Sequence, residues 1–353
     1  MEGVIGTGSG RPRLQAAVRD LNPGYFALVM ATGIVSKAVG LDGAAALSGV
    51  LLGIGMVAYV LLVVAYGWRL ARYRREFLAD LRDPRRTFAF FTFTAASDVL
   101  AARLAGDGQI AAAGVLLVFG GTGWLLLSYS LPLLLIGRTG ARPALADANG
   151  TWFLWVVGTQ SIAVAATSVH PPVPEALAAL AISCWAIGVV LYLLIASLVS
   201  ADLLTYPVRP DAVGPPYWVF MGATAISVLA GAQILHLPSA PLSAAVHGVV
   251  SGLSVVFWGF GTWLIPLLLA AGVWRHVLRR VPLSYEPGWW SIVFPVGMYG
   301  VASHQLGAVL GVSWLVTLGR YEAWLALAVW AAVAVAMAVA LLWIPARQPS
   351  ASP

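Results

Sequence analysis

Asp98 offers the clearest chemistry in this chain: a carboxylate set in the otherwise uncharged run Ala95-Ala96-Ser97-Asp98-Val99-Leu100-Ala101. A charge inside a membrane-length segment is costly, so it faces a cavity, pairs with a cation or relays protons. Lys37 stands in an equivalent segment, about 6 Å further along the helix axis, so a Lys37–Asp98 bridge is one expectation. The functional alternative makes Asp98 a proton-coupling site or the counter-ion of a gate, with Lys37, Arg103 and His304 giving an outer mouth a positive field. A carboxylate enclosed in such a segment then has to be protonated or paired. His304 is otherwise a helix-packing histidine, although an imidazole near a mouth titrates between about pH 5 and 8. Thr32, Ser97, Thr159 and Thr224 form a second group, four hydroxyls in equivalent places. They are either a ring of donors for a dehydrating anion or side chains that bond back to their own helices and to neighbours.

The equivalence rests on a repeat. Four membrane-length segments open with a turn residue and an aromatic pair: Pro23-Gly24-Tyr25-Phe26, Asn149-Gly150-Thr151-Trp152-Phe153, Pro215-Pro216-Tyr217-Trp218 and Pro287-Gly288-Trp289-Trp290; a weaker copy ends in Phe90-Phe91. The second aromatics, at 26, 91, 153, 218 and 290, are 65, 62, 65 and 72 residues apart, one helical hairpin per copy. Five such hairpins cannot bury polar faces against lipid, and arranging them around an axis with the anchored helices inside suggests a pore. Four positions beyond the second aromatic come Met30, Ala95, Val157, Gly222 and Phe294; seven beyond come Gly33, Asp98, Gln160, Ala225 and Gly297. The two slots lie about 60° apart on a helix and share a face, which Lys37, eleven beyond Phe26, also joins. The hydroxyl slot, six beyond, lies about 200° from that of Phe294, so only a kink, such as Pro295 provides in one helix, brings both to one lumen.

Composition sets the class. At 60% hydrophobic and 10% charged, the chain is far from the roughly 25% charged residues of soluble domains. Stretches without Asp, Glu, Lys or Arg cover 43–68, 108–137, 176–201, 212–274, 287–319 and 323–346, and a spanning helix needs about 20 apolar residues. The stretch 212–274 holds two spans broken by Pro238-Ser239-Ala240-Pro241, and shorter segments near 23–40, 88–106 and 150–169 bring the expected total to ten helices. With the N-terminus cytoplasmic, 17 of the 20 basic residues fall on inner segments and only Lys37, Arg103 and Arg320 outside. The positive-inside rule therefore puts both termini in the cytoplasm. The net charge of +6 is explained by this topology, so nucleic acid is not an expected partner. The chain reads as one transmembrane domain over 1–353 with short tails at about 1–20 and 346–353, and its first apolar run belongs to the repeat rather than to a cleaved signal.

The intervening helices repeat as well. Gly121-Thr122-Gly123-Trp124 followed by Pro132-Leu133-Leu134-Leu135 matches Gly261-Thr262-Trp263 followed by Pro266-Leu267-Leu268-Leu269, with the prolines 134 residues, two hairpin periods, apart. Such prolines bend a spanning helix where neighbours satisfy the freed carbonyl. Gly33, Gly158, Gly222, Gly297 and Gly300 are placed to let the five anchored helices approach one another. Trp152, Trp218, Trp289 and Trp290 read as an aromatic belt at the cytoplasmic interface.

The runs from Pro23 to Val35 (PGYFALVMATGIV), Gly259 to Leu267 (GFGTWLIPL) and Trp289 to Gly297 (WWSIVFPVG) resemble the tellurite-resistance/dicarboxylate transporter family, which includes plant slow anion channels, bacterial tellurite-resistance permeases, fungal malate carriers and sulfite exporters. The resemblance covers about residues 20–345. It implies an all-α membrane protein of ten helices in five hairpins, a central pore lined by the odd-numbered helices, frequent homotrimers, and a phenylalanine on the ninth helix that plugs the pore. That residue corresponds to Phe294, in the Phe-Pro pair. With Phe294 on the axis, Asp98 and Gln160 border it, and Thr32, Gly33, Ser97, Thr159, Thr224 and Gly297 complete the expected pore lining. The long phosphorylated tails of the plant channels have no counterpart here.

Other classes find little support. Cys184 is alone in an apolar stretch, without a partner for a disulfide or metal site. His247 and Ser251 share a helical face, but no oxyanion site or orienting partner accompanies them, so an intramembrane hydrolase is not expected. No cofactor or metal is implied, and no ATP-binding motif is present. The expectation is gradient-driven transport of a small anion across the inner membrane, such as a C4-dicarboxylate, sulfite, tellurite or an inorganic anion, by a secondary transporter. The alternatives are a passive Phe-gated channel and a membrane scaffold or sensor without flux.

Overall fold

The computed structural model describes residues 10–137, 147–169, 172–210, 213–237 and 241–343. Its long elements are helices: α1 (Gly10–Arg19), α2 (Ala27–Leu41), α3 (Ala45–Arg72), α4 (Arg74–Arg82), α5 (Phe91–Gly106), α6 (Ile110–Ile136), α7 (Phe153–Ser168), α8 (Glu175–Thr205), α9 (Val219–Leu235), α10 (Pro241–Val273), α11 (Trp290–Leu310) and α12 (Ser313–Leu342). Among the described residues nine helices are long and apolar enough to cross a membrane. The expected tenth, α7, has only 16 residues and carries Thr159, Gln160 and Ser161 at its centre. It is buried along nearly its whole length, and a helix surrounded by protein rather than lipid can tolerate such polarity.

Each aromatic anchor becomes a short 3₁₀ turn feeding a helix: Pro23–Phe26 into α2, Thr87–Phe90 into α5, Gly150–Trp152 into α7, Pro215–Trp218 into α9 and Pro287–Trp289 into α11. The side chains of Asn22 and Asn149 accept from the amides of Gly24 and Thr151, each at 2.8 Å, and proline opens three of the turns, where its missing N–H costs nothing. The weak copy thus has the same geometry without proline. The five turns touch in sequence and the last touches the first.

The helices they feed do likewise: α2 packs on α5, α5 on α7, α7 on α9, α9 on α11, and α11 back on α2, while α3, α6, α8, α10 and α12 each pack outside their own hairpin partner. Burial separates the layers. The inner spans holding α2, α5, α9 and α11 are 67–83% buried, the outer five 11–44%. Glycine permits the close seams: a Cβ at Gly33 would press on Val99 of α5, at Gly158 on Phe91 of α5 and at Gly222 on Pro295 of α11, all at 2.8 Å, and at Gly297 on Ile34 of α2 at 3.1 Å. Gly300 departs from the expectation, since its open side meets Glu322 and Gly319 of α12, an inner-to-outer contact.

One further expectation is corrected. Trp152 and Trp290 are 6% and 1% exposed, so they pack inside the protein, their indoles donating to Pro84 O at 3.0 Å and the Tyr285 hydroxyl at 3.2 Å, rather than standing in a lipid belt. The arginine-rich segment after α3 is partly helical. It contains α4, held by buried Asp80, which accepts from Arg69 at 2.7 Å and Arg86 at 2.8 Å.

Candidate functional site

Phe294 lies one turn into α11, immediately before the in-helix Pro295. The proline removes one backbone donor and bends the helix locally, and its ring fills the notch left by Gly222 of α9. Phe294 is fully buried, as are Met30, Ala95 and Val157 in the equivalent slot. Water therefore reaches none of these four side chains. The turn leading into α11 is fixed by Trp290 on Tyr285, whose phenol, outside the span, is pushed by burial up to about 12 and stays protonated.

The hydroxyl slot is occupied by other contacts. Thr32 donates to Leu28 O and accepts from the Trp330 indole of α12 at 2.9 Å. Ser97 donates to Phe93 O at 2.8 Å and pairs with the Tyr59 hydroxyl of α3, also at 2.8 Å. Thr159 donates to Trp155 O and accepts from Trp124 of α6 at 2.8 Å. Thr224 donates to Met221 O at 2.6 Å and sits in the notch of Gly261 on α10. These side chains are turned toward outer helices, as an ideal helix places a slot about 200° from Phe294. Two more bonds complete the pattern: Trp185 of α8 donates to Ser227 O of α9 at 3.1 Å, and Trp258 of α10 to the Ser303 hydroxyl of α11 at 2.9 Å. Every inner helix therefore receives an aromatic hydrogen bond from the outer helix of the preceding hairpin, α12 serving α2. Sequence reasoning missed these donors: they lie 33, 33, 32, 40 and 40 residues beyond the second aromatic of their own hairpins, and the stacking of the repeats covered only the anchored helices.

Asp98 is fully buried. One carboxyl oxygen accepts from the Ser161 hydroxyl of α7 at 2.8 Å, and the other has no partner among the described residues. The group lies in the notch of Gly120 on α6, where a Cβ would fall 2.8 Å from its Cγ. Gln160 repeats this arrangement against Gly188 of α8, its amide donating to Trp185 O at 3.2 Å and its carbonyl oxygen unpaired. Both polar side chains therefore point into inner–outer helix interfaces. Ser161, Gly120 and Gly188 were not singled out in the sequence. A polar residue on an inner helix opposite a glycine on its hairpin partner is the signal that would have found them.

The Lys37–Asp98 bridge is not formed. Lys37 makes no hydrogen bond or ion pair among the described residues, and the charge acting on it is that of Arg103. Arg103 is itself committed, to Ser36 at 3.1 Å, Ser48 at 2.9 Å and Asp107 at 2.5 Å. His304 packs against Gly319 of α12, its Nδ1 buried without a partner, near Asp42 and Arg320. The three cationic candidates are thus divided between an α2–α5 cluster and an α11–α12 cluster.

Residues 20–338 match the family model described as SLAC1, voltage-dependent anion channel. An uncharacterized transporter of Methanocaldococcus jannaschii is 24% identical over 324 residues, covering 89% of this chain and 91% of the relative, and a second from the same organism is 21% identical over 329 residues, covering 90% and 94%. An uncharacterized membrane protein of Mycobacterium tuberculosis is 54% identical over 147 residues, 42% of this chain and 75% of the relative.

Proposed function

Because the chain belongs to the SLAC1 voltage-dependent anion channel family, we propose that it conducts small anions along the axis enclosed by α2, α5, α7, α9 and α11, with Phe294 as the gate in its closed position. Anion transport in general follows from the family. The carrying observation for the gate is the complete burial of Phe294 and its slot mates in a ring of mutually packed helices. The hydroxyls of Thr32, Ser97 and Thr159 then serve as ties between helices rather than as ligands, that of Thr224 bonds back to its own helix in the notch of Gly261, and Gly33 and Gly297 serve as seams. Selection comes from pore diameter, dehydration and the field of Lys37, whose charge is unpaired at the far end of α2. Candidate anions are C4-dicarboxylates, sulfite, tellurite and inorganic anions. We place the arginine-rich ends, and with them both termini, in the cytoplasm of an inner-membrane homotrimer.

Measuring voltage-driven flux in liposomes tests this reading: Phe294→Ala should raise anion flux above wild type, and unchanged flux from a folded variant would reassign Phe294 to packing. A second reading, a proton-coupled carrier, is favoured by one feature, the unpartnered oxygen of Asp98. It predicts uphill anion uptake driven by a pH gradient at zero voltage. A scaffold without flux is excluded by any anion movement above protein-free liposomes.

A further inference from the structure

At the arginine-rich end of the molecule a cavity of about 330 Å³ opens between the entry turn of α9, the last turns of α10 and the start of α11. Trp218, Leu268, Leu269, Gly272, Trp289 and Ile292 give it apolar walls. It adjoins an outer face on which Leu269 and Val273 of α10 and Val277 of the turn that follows, four residues apart, are all more than half exposed, the face that a bilayer would cover. Beyond Val273 the helix continues as a π turn, Trp274–Leu278, and here the apolar wall ends on cations. Arg275 lines the cavity; its Nη1 donates to Val213 O at 2.9 Å, its Nη2 is 3.9 Å from Glu286, and its buried Nε has no partner among the described residues. His276 also lines it, stacked on Trp289. Arg279, over the Trp274 ring, and Arg280 follow directly and form no ion pair among the described residues.

We propose that this groove binds one anionic phospholipid, its phosphate held by Arg275 and its neighbouring cations and one acyl chain lying along the apolar wall. The charge pattern selects this occupant. Apolar surface that runs along a spanning helix and stops at arginines and tryptophans matches a lipid tail below and a phosphate above, and Arg275, with Glu286 only loosely paired, retains a donor for it. Ile292 stands two residues before Phe294, so an occupied groove braces the first turn of α11. That consequence rests on Phe294 being the gate; the lipid site does not.

The test is native mass spectrometry of the purified full chain after exposure to phosphatidylglycerol or phosphatidylcholine. Wild type should retain phosphatidylglycerol in preference to phosphatidylcholine. Gly272→Leu should lose that retention, since nothing lies within 4 Å of a Cβ built at Gly272 and the added side chain fills the groove without displacing protein. Arg275→Gln should lose the preference for the anionic lipid. Equal retention of phosphatidylglycerol by wild type and Gly272→Leu, or no preference in wild type, would overturn the site. In liposomes, raising the phosphatidylglycerol fraction should lower wild-type anion flux and leave Gly272→Leu unaffected. The same lipid response in both proteins would sever the link to the gate while leaving the binding result to stand.

Discussion

Asp98 shows how a residue can be conspicuous in a sequence while its surroundings are not. The cost of a carboxylate in an apolar helix is legible from composition alone; its partners are not. Stacking the repeats places Lys37 close along the axis, but Asp98 turns toward α6 and α7, where Ser161 donates to it and Gly120 makes room, and Lys37 is left beside Arg103. Helical offsets fix the height of a side chain and only roughly its direction, and at this slot the direction decided the partner. Gly120→Ala should therefore crowd Asp98 and lower stability by about 1–3 kcal/mol, as overpacked interiors do, seen as a lower midpoint in thermal unfolding. Asp98→Asn, nearly equal in volume, should keep the fold and voltage-driven flux while removing any pH-driven uptake. Loss of both activities together would assign Asp98 to structure alone.

At the scale of elements, the anchors were the most legible feature: all five become entry turns, including Thr87–Phe90, the faintest copy. The interfacial role given to Trp152 and Trp290 failed because tryptophan suits a buried helix junction as well as a lipid boundary, and the two ask for the same amphipathic ring. The outer helices deliver the five aromatic hydrogen bonds that tie each hairpin to the next. Removing one such donor, as in Tyr59→Phe, should cost about 0.5–1.5 kcal/mol, measurable in thermal unfolding and absent when Ser97 is already alanine. A larger loss is expected at α4. Asp80→Ala strands Arg69, whose side chain is 3% exposed, and breaking a buried pair in this way costs about 3–5 kcal/mol.

The molecule as a whole follows from one arithmetic fact, five copies of a hairpin too polar on one side for lipid. Anchor spacing and hydropathy carried the inner and outer roles, and the structure adds the closed order of contacts from α2 through α5, α7, α9 and α11 back to α2. Thr32, Ser97 and Thr159 of the hydroxyl slot each meet an aromatic donor of an outer helix. Phe294 and the equivalent Met30, Ala95 and Val157 are apolar and fully buried, which fits the proposed conduit that opens by moving one ring rather than a site that grips its substrate. The decisive measurement is anion flux through wild type and Phe294→Ala in liposomes at clamped voltage. Low wild-type flux that follows voltage, raised severalfold in the variant, is the predicted result; equal flux in two equally folded proteins would contradict a gate at Phe294.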